Sequence, residues 1–224
     1  MIIGGKNAVT DTEALNTVEM IQLEKYDVEK AIQEVKFINK DGKEDTRTED
    51  VPYPHKWEDV TPMKNKRCLF GAINFENKYV YAFGGISGSV KDQPIPTLTQ
   101  SFFERFDIST MKWEDVVTKN PVQNLAAFGW SQVKLTNEVF ILGGSEGTSL
   151  TEGVYHFNFT KDGVDTQKLE EAAFKYNTAF GKVAVLHNNV KNTYDIQVFG
   201  GAYSDGSSNR LLLKRDESYK FTIE

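Results

Sequence analysis

Four glycine pairs divide this sequence and constrain its fold more than any other feature. They stand at Gly4-Gly5, Gly84-Gly85, Gly143-Gly144 and Gly200-Gly201, at intervals of 80, 59 and 57 residues. The last three follow strand-like runs, YVYAFGG, EVFILGG and YDIQVFGG, and the first ends the short run MIIGG. Other landmarks keep the same phase. A Phe-Gly step precedes each of the last three pairs, at Phe70-Gly71, Phe128-Gly129 and Phe180-Gly181. A segment with alternating bulky residues follows each pair, at residues 23–30, 103–110, 154–160 and 218–224. HKWEDV around Trp57 and MKWEDV around Trp113 close the first two copies, and TQKLE puts Leu169 in the Trp place of the third.

Each copy reads as four strands. The segments AFGWSQVKL and EVFILGG have strand length and an apolar run or alternation. FENK, LTNE and NNVKNT supply turn residues, and the Asp-Gly of TKDGVD marks a hairpin. A small twisted sheet of four strands cannot bury both faces alone. Copies stacked side by side bury both. Glycines then permit close backbone approach where the sheets crowd, and aromatic side chains fill the gap where they splay.

These residues resemble the kelch repeat: a Trp strand, a turn with Pro62, a basic residue at Arg67, a strand ending in Gly84-Gly85, and a strand with Phe106 or Tyr26 in the tyrosine place. The resemblance covers almost the whole chain and implies an all-β, kelch-type β-propeller with about four blades visible. The expected organisation is one propeller domain over residues 1–224, with units at about 1–60, 66–117, 126–172 and 178–224. The third and fourth copies lack the Trp. The first lacks its opening strand and the last its closing one, so the expectation is an incomplete propeller or one completed by a second chain; an open arc covered by a partner and a ring closed alone follow in that order. Unpaired strand edges and bare sheet faces favour association.

The long first interval comes from an insertion at about residues 31–54. VEKAIQEVKFI is compatible with a short helix carrying Val28, Ile32, Val35 and Ile38 on one face, whereas FINKDGKEDT reads as a hairpin tip around Asp41-Gly42. KEDTRTED, with no apolar residue, reads as a solvated loop, or as a projection docking on a basic partner.

Composition narrows the partners. Net charge is −6, which opposes nucleic acid as the main partner. No apolar run approaches the roughly 18 residues of a membrane span, and no signal peptide is visible, so the expected setting is cytoplasmic. Cys68 is the sole cysteine, which excludes an internal disulfide. No catalytic constellation or cofactor site is read: His55, His156 and His187 show no metal-ligand spacing, His187 falls in a loop, and no phosphate loop or nucleophile elbow follows the glycine pairs. A copper site on such a propeller would need Tyr and His ligands with a cross-linking cysteine, and Cys68 reads as a packing residue instead.

The loops after the glycine pairs are polar and read as solvated connectors or as a shared binding face. Candidate contacts are Lys91, Asp92, Gln93, Glu146, Tyr203, Asp205 and Arg210. The resemblance implies a non-catalytic protein–protein interaction scaffold in a larger assembly, cytoskeletal or ciliary in setting. The alternatives it implies are a substrate-recognition subunit of a ubiquitin ligase, or an enzyme such as a sugar oxidase or epimerase.

Overall fold

The computed structural model describes residues 1–5, 14–20, 32–50, 58–87, 101–120, 122, 124–133, 136–147, 149–172, 177–179, 181–204, 212–213 and 218–223. The fold is all-β, with a single 3-10 turn at Glu170–Ala172 among the described residues. By its contacts the chain forms two compact units: Met1–Ile2 with Val18–Val60, and Ile3–Thr17 with Thr61–Glu224.

The first blade contains β1 (Ile2–Gly5), β2 (Leu15–Met20) and β5 (Glu58–Val60), in that order. Here β2 holds the third-strand place. Residues 23–30, to which the repeat assigns that strand, lie outside the described residues, as do Tyr26 and Trp57. Between β2 and β5 the chain makes a hairpin of β3 (Ile32–Ile38) and β4 (Glu44–Asp50). The expected helix is therefore corrected over residues 32–38, and the expected loop at KEDTRTED is a strand. The hairpin tip falls where Asp41-Gly42 predicts. Asn39 Oδ1 accepts hydrogen bonds from the Asp41 and Lys43 amides at 3.0 Å each, and Gly42 takes φ 73°. That turn outcompetes the three-residue spacing of Ile32, Val35 and Ile38.

Blade two is a complete antiparallel sheet of β6 (Gly71–Phe75), β7 (Tyr79–Phe83), β8 (Phe103–Asp107) and β9 (Lys112–Asp115). Blade three repeats it with β10 (Gly129–Gln132), β11 (Glu138–Leu142), β14 (Val154–Thr160) and β15 (Gly163–Lys168). The loop between β11 and β14 folds into a small hairpin, β12 (Ser145–Glu146) with β13 (Ser149–Leu150). Blade four pairs β17 (Lys182–Asn188), β18 (Thr193–Phe199) and β21 (Ser218–Ile223). A second small sheet joins β16 (Asn177–Ala179), β19 (Ala202–Ser204) and β20 (Leu212–Leu213).

Register corrects one equivalence. Trp113 lies opposite Phe106, and in blade three Thr166 lies opposite Phe157. Thr166, not Leu169, thus occupies the Trp place; Leu169 packs on the next core instead.

Alternation along β11 shows how a blade buries both faces. Val139 and Ile141 join the core shared with blade two, and Phe140 and Leu142 join the core shared with blade four. The first of these cores is a ring cluster. Phe83 stacks on Phe128 at 5.9 Å and meets Trp130, Phe157 and Phe159 at 5.6, 6.4 and 6.0 Å. Each buried Phe contributes about 1.5–3 kcal/mol, against about 0–1 kcal/mol for an exposed ion pair such as Lys119–Asp165. Aromatic burial therefore holds the blades together.

The glycine pairs have two separate tasks. A Cβ on Gly84 (φ 69°) would lie 2.5 Å from the Phe128 ring of the next blade and 2.6 Å from the Leu125 carbonyl oxygen. A Cβ on Gly85 (φ 100°) would lie 2.8 Å from the Cys68 oxygen and 2.8 Å from Phe70 of its own blade. Gly4 repeats the first task against Phe70 and the Arg67 oxygen, and Gly144 repeats the second against Phe128 and the Ala126 oxygen. The first glycine admits the neighbouring blade's Phe-Gly step, and the second admits its own.

Candidate functional site

The residue after each of the last three glycine pairs does not enter a free loop. Ile86 exchanges two backbone hydrogen bonds with Cys68, both 3.0 Å, and Ser145 exchanges two with Ala126, at 2.8 and 3.0 Å. In blade four Ala202 pairs with Ala179. Between blades, the Ala127 amide donates to the Leu69 oxygen at 2.9 Å and the Gly85 amide to the Leu125 oxygen at 2.8 Å. Leu69 and Ala127 take φ of 56° and 55° to make these crossings. Cys68 packs with Ala14, Ile86 and Ala126, the packing role its sequence position suggests.

On this base the post-glycine segments of blades three and four form a ledge. Glu146 lies on β12 opposite Ser149, and Tyr203 lies on β19 between Thr178 and Leu212. The adjoining strand β13 lies against β16, which brings the two small sheets together. These segments are thus paired strands, where the sequence suggests solvated connectors. Glu146 is half-buried. Burial, and secondarily the Glu146 charge, pushes the Tyr155 hydroxyl above its ordinary value. Lys91, Asp92, Gln93, Asp205 and Arg210 lie outside the described residues.

Beneath the inner loops of blade two sits a polar node that the sequence marks only as a basic repeat position. Arg67 and Glu104 are fully buried and 2.8 Å apart. Arg67 also donates to the carbonyl oxygens of Gly84 at 2.6 Å, Ser101 at 2.6 Å and Phe102 at 3.3 Å. Glu104 accepts from the Lys64 and Asn65 amides at 2.9 and 3.1 Å. Burial lowers the Arg67 pKa, and the Glu104 carboxylate opposes that shift. The node fixes the path of the chain into and out of the long blade-two loop.

A second feature lies on the outer strands of blade three. His156 faces Gln167 across the ladder and Asn158 faces Asp165, so the four share one sheet face. With Lys119 and Asn120 they line a cleft of about 370 Å³. Its wall is rigid: Asn120 Nδ2 donates to the Thr166 oxygen at 2.8 Å, and Thr166 Oγ1 donates to the Asn120 oxygen at 2.9 Å. The His156 ring stacks on Phe140 at 4.7 Å and its Nε2 donates to Glu138 at 3.1 Å. Glu138 also accepts from the Tyr194 hydroxyl at 2.9 Å. His187 is a strand residue on β17, not a loop residue, and its ring stacks on Tyr194 at 4.5 Å. His55 lies outside the described residues. Among the described residues no cluster of His, Cys, Asp and Glu is arranged to hold a metal.

No protein-family model matches the chain. It is 26% identical over 155 residues to Kelch-like protein 15 from Homo sapiens, Mus musculus and Rattus norvegicus. Each match covers 67% of this chain and 24% of the relative, so the chain spans about a quarter of those proteins. Among solved structures it is similar to YjhT, with a TM-score of 0.52 and 16% identity over 78% of this chain and 56% of that one. Glycine pairs that admit two Phe-Gly steps, blades that share aromatic cores and these two likenesses agree: in fold the chain is a kelch-type β-propeller, and in sequence it is similar to kelch-like proteins.

Proposed function

We propose that this chain is a non-catalytic protein-interaction module whose rigid blades display the inner ledge to a protein partner. The observation that carries this reading is the pairing of the post-glycine segments into small sheets, which holds Glu146 and the Tyr203 backbone on a fixed surface. Pre-ordered loops bind with less entropic cost than floppy ones. Lys91, Asp92, Gln93, Asp205 and Arg210 extend the same face in this proposal. The work is scaffolding within a larger assembly, in the cytoplasm and at cytoskeletal or ciliary structures; a second chain that covers an exposed sheet face is one form it takes.

A substrate-recognition role within a ubiquitin ligase is the second reading. It draws on the likeness to kelch-like proteins, of which the matched region is about a quarter.

The test is an affinity capture with the full chain as bait, followed by quantitative binding of the captured partner. Glu146→Arg should weaken binding about tenfold or more while leaving the melting temperature unchanged. Unaltered binding would remove the ledge as the contact surface.

A further inference from the structure

We propose that the open edge of β3 pairs with the β3 edge of a second copy of this chain, joining two β3–β4 hairpins into a four-stranded antiparallel sheet. This goes beyond the ledge reading above and gives the insertion a partner.

The hairpin has two open edges. β3 and β4 form a two-stranded sheet with which no other described strand pairs. Such a hairpin alone is marginal in water, and three or more strands are needed for independent stability. Its register decides which backbone groups point outward. The Asn39 amide donates to the Lys43 oxygen at 2.9 Å, so residues 39 and 43 form a hydrogen-bonded pair. From there the ladder runs without a bulge from Ile38↔Glu44 to Ile32↔Asp50. Bonded and non-bonded pairs alternate along an antiparallel ladder. Residues 37, 35 and 33 therefore bond across the hairpin, and residues 38, 36, 34 and 32 turn their N–H and C=O groups away from β4.

The two edges differ in chemistry. On β4 the outward Thr46 amide is already taken by Asp45 Oδ1 at 2.9 Å. Pairing β4 with its own copy about residue 47 would set Glu44 on Asp50, Asp45 on Glu49 and Arg47 on Arg47. Like charges directly opposite are destabilising, so β4 guards itself. β3 reads IQEVKFI. Antiparallel pairing about residue 35 sets Glu34 on Lys36 of the second copy and Ile32 on Ile38 of the second copy, each twice by the two-fold symmetry. These are the outward-pointing positions, so every such pair is also a hydrogen-bonded pair. Moving the centre to residue 34 or 36 keeps the hydrogen bonds but sets Glu34 on Glu34 or Lys36 on Lys36. Centres further along the strand pair fewer of its residues. Charge therefore selects one register.

Exposure points to the same edge. Ile38 is 65% exposed. Phe37, on the opposite face, is half-buried and has the Arg47 guanidinium 5.5 Å from its ring centre. The hairpin covers Phe37 with its own chain and leaves Ile38 bare, and the pairing about residue 35 brings position 32 of the second copy beside Ile38.

The experiment is sedimentation velocity of the full chain over a dilution series, beside Glu34→Lys, Lys36→Glu and the charge exchange Glu34→Lys/Lys36→Glu. Across the hairpin, positions 34 and 36 stand opposite Thr48 and Thr46, so the exchange reverses no cross-strand charge pair within one chain. The unaltered chain should dimerise. Each single variant should weaken the dimer about tenfold or more, by turning both Glu34–Lys36 pairs into like-charge pairs. The charge exchange should restore the dimer, and so should an equimolar mixture of the two single variants, where opposite charges meet again. Lys36→Pro, which removes an outward N–H and no bond within the hairpin, should weaken it too. A chain that stays monomeric at every concentration would overturn the proposal. So would a dimer indifferent to the single variants, or single variants that do not recover on mixing. A monomeric chain that binds a different protein, with that binding lost on Lys36→Glu, would also overturn it and reassign the edge to a strand of that protein.

Discussion

Arg67 and Glu104 form a fully buried ion pair at 2.8 Å, and one repeat later Leu125 and Tyr155 hold the same two places. Arg67 and Leu125 each stand three residues before the Phe of a Phe-Gly step; Glu104 and Tyr155 each follow the residue opposite the last strand position before a glycine pair. The chain therefore contains a polar and an apolar solution to one packing problem. Removing one partner of a buried pair typically costs about 3–5 kcal/mol, because the other charge stays buried. Glu104→Ala should show a loss of that size in urea unfolding. Arg67→Leu/Glu104→Tyr, which copies blade three, should lose less than the two single changes together by at least about 1 kcal/mol. Additive losses would show that the pair does not act as one unit.

The two tasks of a glycine pair predict unequal substitution costs. Gly84→Ala combines φ 69° with a Cβ 2.5 Å from the Phe128 ring and 2.6 Å from a backbone oxygen. The Leu125 oxygen cannot move without breaking its bond from Gly85. Gly42 in the β3–β4 turn has a similar φ of 73° and nothing within 4 Å of its Cβ. Gly42→Ala should cost about 1 kcal/mol of backbone strain or less. Gly84→Ala should cost about 3 kcal/mol or more, from strain plus displaced core. Equal shifts in thermal unfolding would refute the close-approach account.

Much of this architecture was legible because its cause is periodic. Glycine pairs, Phe-Gly steps and Trp113 lie in phase, and each has a contact that explains the phase. What escaped reading is set by register or by distant chain. Thr166 rather than Leu169 faces Phe157 because β15 begins directly after the two-residue turn Lys161-Asp162, a count that composition does not reveal. The polar loops after Gly144 and Gly201 pair as strands because Ala126 and Ala179, preceding the inner strand of the same blade, present backbone groups to them. Such pairing is a backbone property, and side-chain polarity hides it. The cleft was invisible for a related reason: Lys119 and Asn120 are over thirty residues from His156 in sequence, and the Thr118–Val164 bridge, the Lys119–Asp165 ion pair and the Asn120–Thr166 bonds bring them together.

The rim contact between blades two and three rests on hydrogen bonds to main-chain carbonyls. Tyr81→Phe deletes the 3.1 Å bond to Thr160 and the 3.2 Å bond that the hydroxyl accepts from Arg105, and should cost about 1–2 kcal/mol. Arg105→Ala deletes the 2.8 Å bond to Lys161, the contact with Glu114 and the stacking over Tyr79 at 4.4 Å. It should cost more, by about 1 kcal/mol, and expose the Thr160–Gly163 turn to faster amide exchange. If Arg105→Ala leaves exchange at that turn unchanged, the guanidinium does not hold it.

Tyr194 gives the interface of blades three and four an alkaline limit. Burial first, and its bond to the Glu138 carboxylate second, push the hydroxyl up to about 12 from an ordinary value of 10. The folded state thus favours the neutral phenol, which donates to Glu138, over a phenolate that would face that carboxylate as a like charge. The sign follows by linkage: unfolded chain releases the proton near pH 10 and folded chain near pH 12. The stabilisation is present in full below pH 10 and disappears as pH rises from 10 to 12. Tyr194→Phe should lower stability at neutral pH by about 1 kcal/mol through the lost bond. It should also flatten the fall in melting temperature across pH 10 to 12 relative to the unaltered chain. An identical pH slope in both proteins, or a phenolate absorbance titration that ends near pH 10, would show that Glu138 does not hold Tyr194 in its neutral form.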